Sequence, residues 1–568
     1  MPEQKNLGVN LSTISPFAGF VAALIIVRTI ALLFSPLNLG PDEAQYWRWS
    51  TEISWGYYSK PPLIAWTIAF VTYIFGDAEW AIRLPAPLLH GVTAFFIFAL
   101  GQKMFDAKTG ALAAAYYLLM PGVTFSSGIM TTDAILLPCF AFFMLALWNL
   151  RSFPQSYTLA TLLGLALGLG ILAKYAVVYA LICTALAAII DPPTRRAVVS
   201  SRGALAAGIA MLIITPHLVW NLRNGFQTIS HTADNAQWSG DLFSLENGLQ
   251  FLFDQMAVVG PFGFIVLMIS VATFVRPRWA GVSGTNLRWL LCFTLPILVL
   301  ITSQAFISRA HANWAATAYV AGSLIIVALL QAGRPTPKAW WISGAVFIIL
   351  AAMWVPDLSL VEKSFMGGSF AVALLSAGAL SGWTSGGILW GSFGLHAVLA
   401  VVLTAMALGP IQWSERMGFE QSFQLSRAWP QTVAKIADAA TDIGADVVLV
   451  DERELWHSID YYGRRSFPAD IYSWRRSGSP KSFAEQNDLT DLKAPRVLVA
   501  SIKPHQRERL RADFGEFDFI REIQIPLGGN EVRSISLFQA RNFRPQPRDQ
   551  EWEKRYDIEQ PQMLPNNN

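Results

Sequence analysis

The chain has 568 residues, 53% of them hydrophobic, and only 14% carry charge, against roughly 25% in an average soluble domain. Its mean hydropathy is +0.39, and its 42 Lys and Arg balance 39 Asp and Glu to a net charge of +3. A protein soluble along its whole length is excluded, and so is the strongly basic balance a nucleic-acid binder needs.

Residues 1–15, MPEQKNLGVNLSTIS, form a polar leader ahead of an apolar run, Phe17–Pro36. No small-x-small cleavage pattern precedes Arg28, so the run reads as a retained anchor with a cytoplasmic leader. A membrane helix needs roughly 20 apolar residues. Candidate spans lie at 16–36, 82–102, 110–127, 130–150, 156–173, 175–190, 203–220, 251–275, 288–306, 311–331, 340–356, 366–381 and 388–409. The expectation is therefore an all-α polytopic membrane region over 16–410 with about thirteen spans. Leu63–Phe75 is too short to cross a bilayer, and behind Pro61-Pro62 it reads as an interfacial helix within an outer loop, 39–80.

Charge sets the expected orientation. With the N-terminus inside, the cytoplasmic turns carry Lys103 and Lys108, Arg151, Arg195 and Arg196, Arg276 and Arg278, then Arg334 and Lys338. The opposite loops hold most of the acids, so a bacterial inner-membrane protein with its outer loops and C-terminal part in the periplasm is expected. From 427 to 543 the composition becomes ordinary, and short strands at 447–450, 496–500, 517–525 and 533–540 with helices at 429–443 and 503–513 predict a small α/β domain. Residues 544–568 read as a disordered tail. Cys139, Cys183 and Cys292 lie in apolar runs without CxxC spacing, and GGSF at 367–370 reads as a helix-packing element. No phosphate-binding loop, HExxH or GxSxG motif is present.

The densest chemistry is LGPDEAQYWRWSTEISW, Leu39–Trp55, which follows the first span and precedes Ser59-Lys60-Pro61-Pro62. It sets Asp42 and Glu43 beside Tyr46, with Tyr57 and Tyr58 close behind. Other polar residues fall at the same predicted face: Asp133 at the start of the fourth span, Lys174 and Tyr175 after the fifth, His217 in the seventh, and Arg309, His311 and Asn313 at the tenth. Ionised groups within apolar surroundings cost several kcal/mol unless paired or hydrated. Their recurrence on one face predicts a single cavity opening outward. Lys60, Lys174 and Arg309 suit a lipid phosphate, whereas a carboxylate suits proton removal from an acceptor hydroxyl. Glu43 either orients the acceptor, supports Asp42 or joins His217 as a candidate ligand of a divalent metal; no cofactor is otherwise indicated. Plainer readings stand beside these. Asp42 and Glu43 fit a solvated helix end, Asp133 an N-cap or internal ion pair, His217 and His311 structural histidines, and Arg28 a packing ion partner. Trp47, Trp49, Tyr57 and Tyr58 fit an interfacial aromatic belt.

The run GPDEAQYWRW…WGYYSKPPLIAWTIA…AEWAIRLPA resembles the first outer loop of the GT-C membrane glycosyltransferases, in the protein O-mannosyltransferase and lipid A aminoarabinose transferase superfamily. The resemblance covers roughly residues 15–330. It implies an inverting transferase that takes a sugar from a polyprenyl-phosphate donor, with Asp42 as base or acceptor-orienting acid beside Glu43. It likewise implies that Lys60 contacts the lipid phosphate and that Asp133 and Lys174 are site positions. HANWAATAY at 311–319 departs from the PRYxLP-like pattern of aminoarabinose transferases, which leaves Arg309 and the sugar open. The implied acceptor is lipid A, lipopolysaccharide core or another glycolipid, with a uronic-acid transferase among the candidates. A protein O-glycosyltransferase of the same fold, a lipid or solute transporter and a noncatalytic envelope scaffold are the alternatives. A transporter would show inverted repeats with broken helices near the midplane, which the sequence lacks.

Overall fold

The computed structural model describes residues 11–234, 243–275, 283–332, 385–409, 421–489, 496–528, 531–549 and 551–552. The candidate spans at 340–356 and 366–381, GGSF at 367–370 and most of the tail lie outside the described residues. The chain divides into two units. The first comprises 1–34, 55–64 and 83–405, the second 35–54, 65–82 and 406–568.

The first unit is helical. Among the described residues six helices are long and apolar enough to cross a membrane: Ser15–Phe34, Glu79–Met104, Thr132–Ser152, Ser201–Arg223, Gly284–Ile307 and Gly386–Leu408. Where the sequence suggested one span over 110–127, Pro121 interrupts it, because proline lacks the N–H that would continue the ladder. The result is two helices, Ala107–Leu119 and Pro121–Ser126. The 251–275 run also breaks. Gly260, at φ +83°, ends Leu245–Val259, and Pro261 starts the next helix at a bend of 114°. The 311–331 run begins as a 3-10 turn, Ala312–Ala315, and becomes α-helix only over Ala318–Gln331.

Without water to drive helices together, close packing needs small residues. The Tyr157–Ala173 helix meets Ser201–Arg223 through Gly164, where an added Cβ would lie 2.5 Å from the Ala206 carbonyl oxygen. Arg28, buried in the first span, has neutral partners: Nη2 donates to the Leu118 carbonyl and to Thr124 Oγ1. These bonds tie the span to the break before Pro121. At the other end of the Thr132–Ser152 helix from Asp133, Arg151 makes a forked pair with Asp191, Nε–Oδ2 2.7 Å and Nη2–Oδ1 2.9 Å.

The second unit holds a five-stranded sheet in the order β2-β1-β3-β5-β4. Here β1 is Val447–Val450, β2 Asp470–Ser473, β3 Val497–Ser501, β4 Phe514–Gly528 and β5 Glu531–Phe543. β1 pairs in parallel with β2 and β3, and β5 runs antiparallel to β3 and β4. Alternate residues divide between two cores. Val448, Val450, Leu498 and Ala500 pack with Trp429 and Ile436, while Val447, Leu449, Val497 and Val499 pack with Trp474 and Leu510. The sequence reading missed β2 and the Arg453–Tyr462 helix. That helix seats the outer-loop segments of the same unit. Trp47 packs edge-on against Tyr461 at 4.9 Å, Tyr461 Oη donates to the Asp77 carbonyl at 2.6 Å, and the Leu39 N–H donates to Tyr462 Oη at 2.7 Å.

At the end of β1, buried Asp451 accepts from Ser501 Oγ at 2.6 Å and from the Ile502 and Lys503 amides. Burial pushes its carboxyl up to about 6 despite these bonds, and burial also raises Asp460 to about 6. A carboxyl raised by folding favours the fold most when protonated, so its contribution is full below the unfolded value near 4 and lost as pH rises through 6. The full-length protein in detergent is expected to resist unfolding better at pH 5 than at pH 7.5 through these groups. Asp451→Asn should remove on the order of 1 kcal/mol of that difference, read from tryptophan-monitored denaturation of the full chain.

Candidate active site

In the first unit, three polar elements converge through local breaks in helical structure. The Tyr157–Ala173 helix stops at Lys174, whose backbone is extended at φ −164° and ψ 135°, and resumes as a 3-10 turn over Tyr175–Val178. That break leaves the lysine at a helix end rather than within a span. Lys174 Nζ donates to Asp133 Oδ1 at 2.7 Å. Asp133 sits in the first turn of Thr132–Ser152, where unpaired amides favour a carboxylate. Its second oxygen, Oδ2, accepts from Asn313 Nδ2 at 2.6 Å. Both carboxylate oxygens are engaged, and the side chain is only 6% exposed.

Asn313 rides on the 3-10 turn Ala312–Ala315, which is held from below. Tyr319 Oη donates to Gln255 Oε1 at 2.6 Å, and Gln255 Nε2 donates to the Ala312 carbonyl at 3.1 Å. Gln255 is fully buried. A chain of hydrogen bonds therefore runs from Tyr319 through Gln255 to the turn that meets Asp133.

The Trp55–Pro62 loop brings Lys60. Its backbone is pinned at Trp55, whose carbonyl takes a hydrogen bond from His217 Nδ1 at 2.6 Å, and at Tyr57, whose carbonyl takes one from Thr228 Oγ1 at 2.6 Å. A carbonyl only accepts, so Nδ1 carries the hydrogen. Nε2 is then the acceptor for Tyr175 Oη at 2.7 Å and Asn221 Nδ2 at 3.2 Å. Gly56 has no room for a side chain, because a Cβ would lie 2.4 Å from the Trp220 ring.

Lys60, Lys174 and Tyr175 line a cavity of about 520 Å³ together with Ser59, Thr232, Gln304 and Trp314. Its remaining wall is apolar, from Ala176, Tyr179, Ile182, Leu300 and Ile301. Two cations in the lining of a largely apolar cavity match an amphiphilic anion.

The other predicted positions fall around or apart from this cavity. Asp133, Asn313 and His217 support its lining residues from behind. Tyr57 and Tyr58 share the Lys60 loop, with Tyr58 packed edge-on against His231 at 5.5 Å. His311 is exposed and packs on Trp314 at 5.4 Å, and the Arg309 carbonyl accepts from Gln304 Nε2 at 3.3 Å; neither residue lines the cavity. Asp42, Glu43 and Tyr46 belong to the second unit. There Asp42 Oδ1 pairs with Arg453 Nη1 at 3.0 Å, and Gln45 Oε1 accepts from the same nitrogen at 3.2 Å. Glu43 Oε2 accepts the Gly40 N–H at 2.9 Å, closing the cap of its own helix, and Tyr46 is buried 5.5 Å from Trp49. The Asp42 charge is the largest influence that raises the Arg453 guanidinium above its ordinary value. Among the described residues no group of three His, Cys, Asp or Glu is placed to hold a metal ion. The sequence reading missed Gln255, Gln304, Trp314 and Arg453.

Comparisons with known proteins bear on the family and the fold. The family model described as dolichyl-phosphate-mannose-protein mannosyltransferase matches residues 59–220. A lipid A galacturonosyltransferase of Rhizobium johnstonii is 37% identical over 324 residues, 56% of this chain and 67% of that protein. A lipopolysaccharide core galacturonosyltransferase of the same organism is 25% identical over 282 residues, 49% of this chain and 56% of that protein. Among solved structures, ArnT from Cupriavidus metallidurans bound to undecaprenyl phosphate superposes with a TM-score of 0.61 at 15% identity, covering 94% of this chain and 98% of that one. The fold is thus that of a multi-span membrane glycosyltransferase with a small C-terminal sheet. The chain belongs to the GT-C superfamily of polyprenyl-phosphate-sugar-dependent glycosyltransferases, the group of protein O-mannosyltransferases and lipid A aminoarabinose transferases.

The ion pair makes a separable prediction. Lys174→Met strands a buried carboxylate and should cost about 3 kcal/mol of stability. Adding Asp133→Leu should recover part of the melting temperature while sugar transfer stays lost. Gln255→Leu leaves the Ala312 carbonyl and Tyr319 hydroxyl without partners, an expected loss of about 1–3 kcal/mol by the same thermal measurement.

Proposed function

We propose that the protein moves one sugar, a hexuronic acid, from polyprenyl phosphate to a hydroxyl of lipid A or the lipopolysaccharide core, with inversion at the anomeric carbon. The observation that carries this reading is that Lys60 and Lys174 both line one largely apolar cavity. The cavity suits the first isoprene units and the two ammonium groups suit the phosphate that joins them to the sugar. The hexuronic acid rests on the similarity to two galacturonosyltransferases. The mannosyltransferase family match over 59–220 keeps a protein hydroxyl as the alternative acceptor.

The acceptor oxygen attacks the anomeric carbon on the face away from the phosphate, and the bond from that carbon to the phosphate oxygen breaks. Both electrons of the broken bond leave with the phosphate, whose growing charge Lys60 and Lys174 stabilise. The acceptor proton passes to a carboxylate, assigned to Asp42 from its motif, with Glu43 next to it in sequence. Asp133 positions Lys174 rather than taking the proton, since both its oxygens are occupied. Tyr175, oriented by His217, faces the same cavity as a donor to phosphate or sugar oxygens.

The reading includes about thirteen spans, with the cavity and the second unit on the periplasmic face of a bacterial inner membrane. The alternation of ion pairs along Thr132–Ser152 supports it. Asp133 is tied to Lys174 at one end of this helix, while at the other Arg151 is tied to Asp191, among the loops richest in Arg and Lys.

Purified protein in lipid vesicles, supplied with labelled polyprenyl-phosphate galacturonic acid and lipid A, is expected to transfer the uronic acid in preference to aminoarabinose. Preference for aminoarabinose would overturn the donor assignment. Asp42→Asn should keep donor affinity while kcat falls about 10³-fold, and near-normal turnover would remove Asp42 as base. Lys60→Ala should raise the donor KM at least about tenfold with a smaller change in kcat.

A further inference from the structure

A second cavity, of about 420 Å³, lies wholly within the second unit. Its walls are Pro36 and Leu37, just after the first span, Met406 in the last turn of the Ser385–Leu408 helix, and Ile525 to Leu527 of β4. The chain on either side is fixed: Asn38 N–H donates to the Ser426 carbonyl at 2.8 Å, the Trp429 N–H donates to Asn38 Oδ1 at 3.1 Å, and Ser35 Oγ reaches the Ala407 carbonyl at 3.5 Å. Two helices long and apolar enough to cross a membrane thus end at this cavity, and as spans they would bring it to the depth of the lipid headgroups.

The polar lining is one-sided. Arg427, Lys435, Gln431 and Asn38 contribute, and among the described lining residues there is no Asp or Glu. Arg427 is 6% exposed and donates from Nη1 to the Leu527 carbonyl at 3.1 Å, so its charge is built into the wall. Lys435 is exposed, with Nζ 3.2 Å from the Gln524 carbonyl. A guanidinium and an ammonium above apolar side chains, at headgroup depth, complement an anionic phosphate that carries acyl chains. We infer that this cavity binds the phosphate headgroup of an anionic membrane lipid, at a site separate from the Lys60 and Lys174 cavity.

The test uses the full chain in detergent, titrated with short-chain phosphatidylglycerol, with phosphatidylcholine, and with inorganic phosphate, and read by native mass spectrometry. One phosphatidylglycerol should bind in preference to phosphatidylcholine. Lys435→Gln should weaken it about fivefold, and Gln431→Glu, which adds an acid to the cavity, should do so at least as strongly. Lys481→Gln, which alters an exposed lysine outside the lining, should leave binding unchanged. Both cavity positions are exposed, so the melting temperature should hold in every variant. Unchanged phosphatidylglycerol affinity in the two cavity variants would overturn the site. Inorganic phosphate binding that lipid does not displace would overturn the lipid as occupant.

Discussion

A carboxylate among membrane helices persists only when both oxygens have partners, and Asp133 shows the consequence. Lys174 takes one oxygen and Asn313 the other, so a single side chain fixes the end of one helix, the start of a second and a turn between two more. Under the proposed function, a donor phosphate entering the cavity meets a lysine already aimed by that carboxylate. Preorganised charge of this kind stabilises a developing anion without first reorienting solvent. The ion pair is therefore both a packing element and the means of placing a cation.

The Lys60 loop is held by a different device. His217, fully buried on the Ser201–Arg223 helix, grips the Trp55 carbonyl with one ring nitrogen and accepts the Tyr175 hydroxyl with the other. One imidazole thus couples the loop carrying one cavity lysine to the turn following the other. Thr228 repeats the grip two residues further along the loop, at Tyr57. The loop that carries Lys60 is thus held at two of its carbonyls by side chains of the helical bundle.

Lys60, Asp133 and Lys174 were legible in the sequence because charge next to apolar runs is costly and so conspicuous. Gln255, Gln304 and Trp314 were not, because neutral polar and aromatic residues are ordinary in such runs and only the fold reveals what they touch. Arg453 was hidden for the opposite reason, as one charge among many in DEREL at 451–455. The helical character of the first unit and most strands of the second followed from periodicity. The interruptions at Pro121 and Gly260 were written in the sequence as helix breakers, yet continuous hydropathy across them masked the break. β2, four residues long and flanked by polar chain, gave no period to read.

The second unit is assembled from pieces far apart in the chain. Segments 35–54 and 65–82 supply part of its interior, and bonds such as Tyr461 to Asp77 join residues 384 positions apart. During synthesis the aromatic face of the early segments, with Trp47 and Trp49 on it, must wait for more than four hundred further residues before its covering helix, Arg453–Tyr462, is made. A fragment cut near residue 427 would lack that face and leave Tyr461 and Tyr462 uncovered, so the sheet region is no autonomous module that can be excised and studied alone.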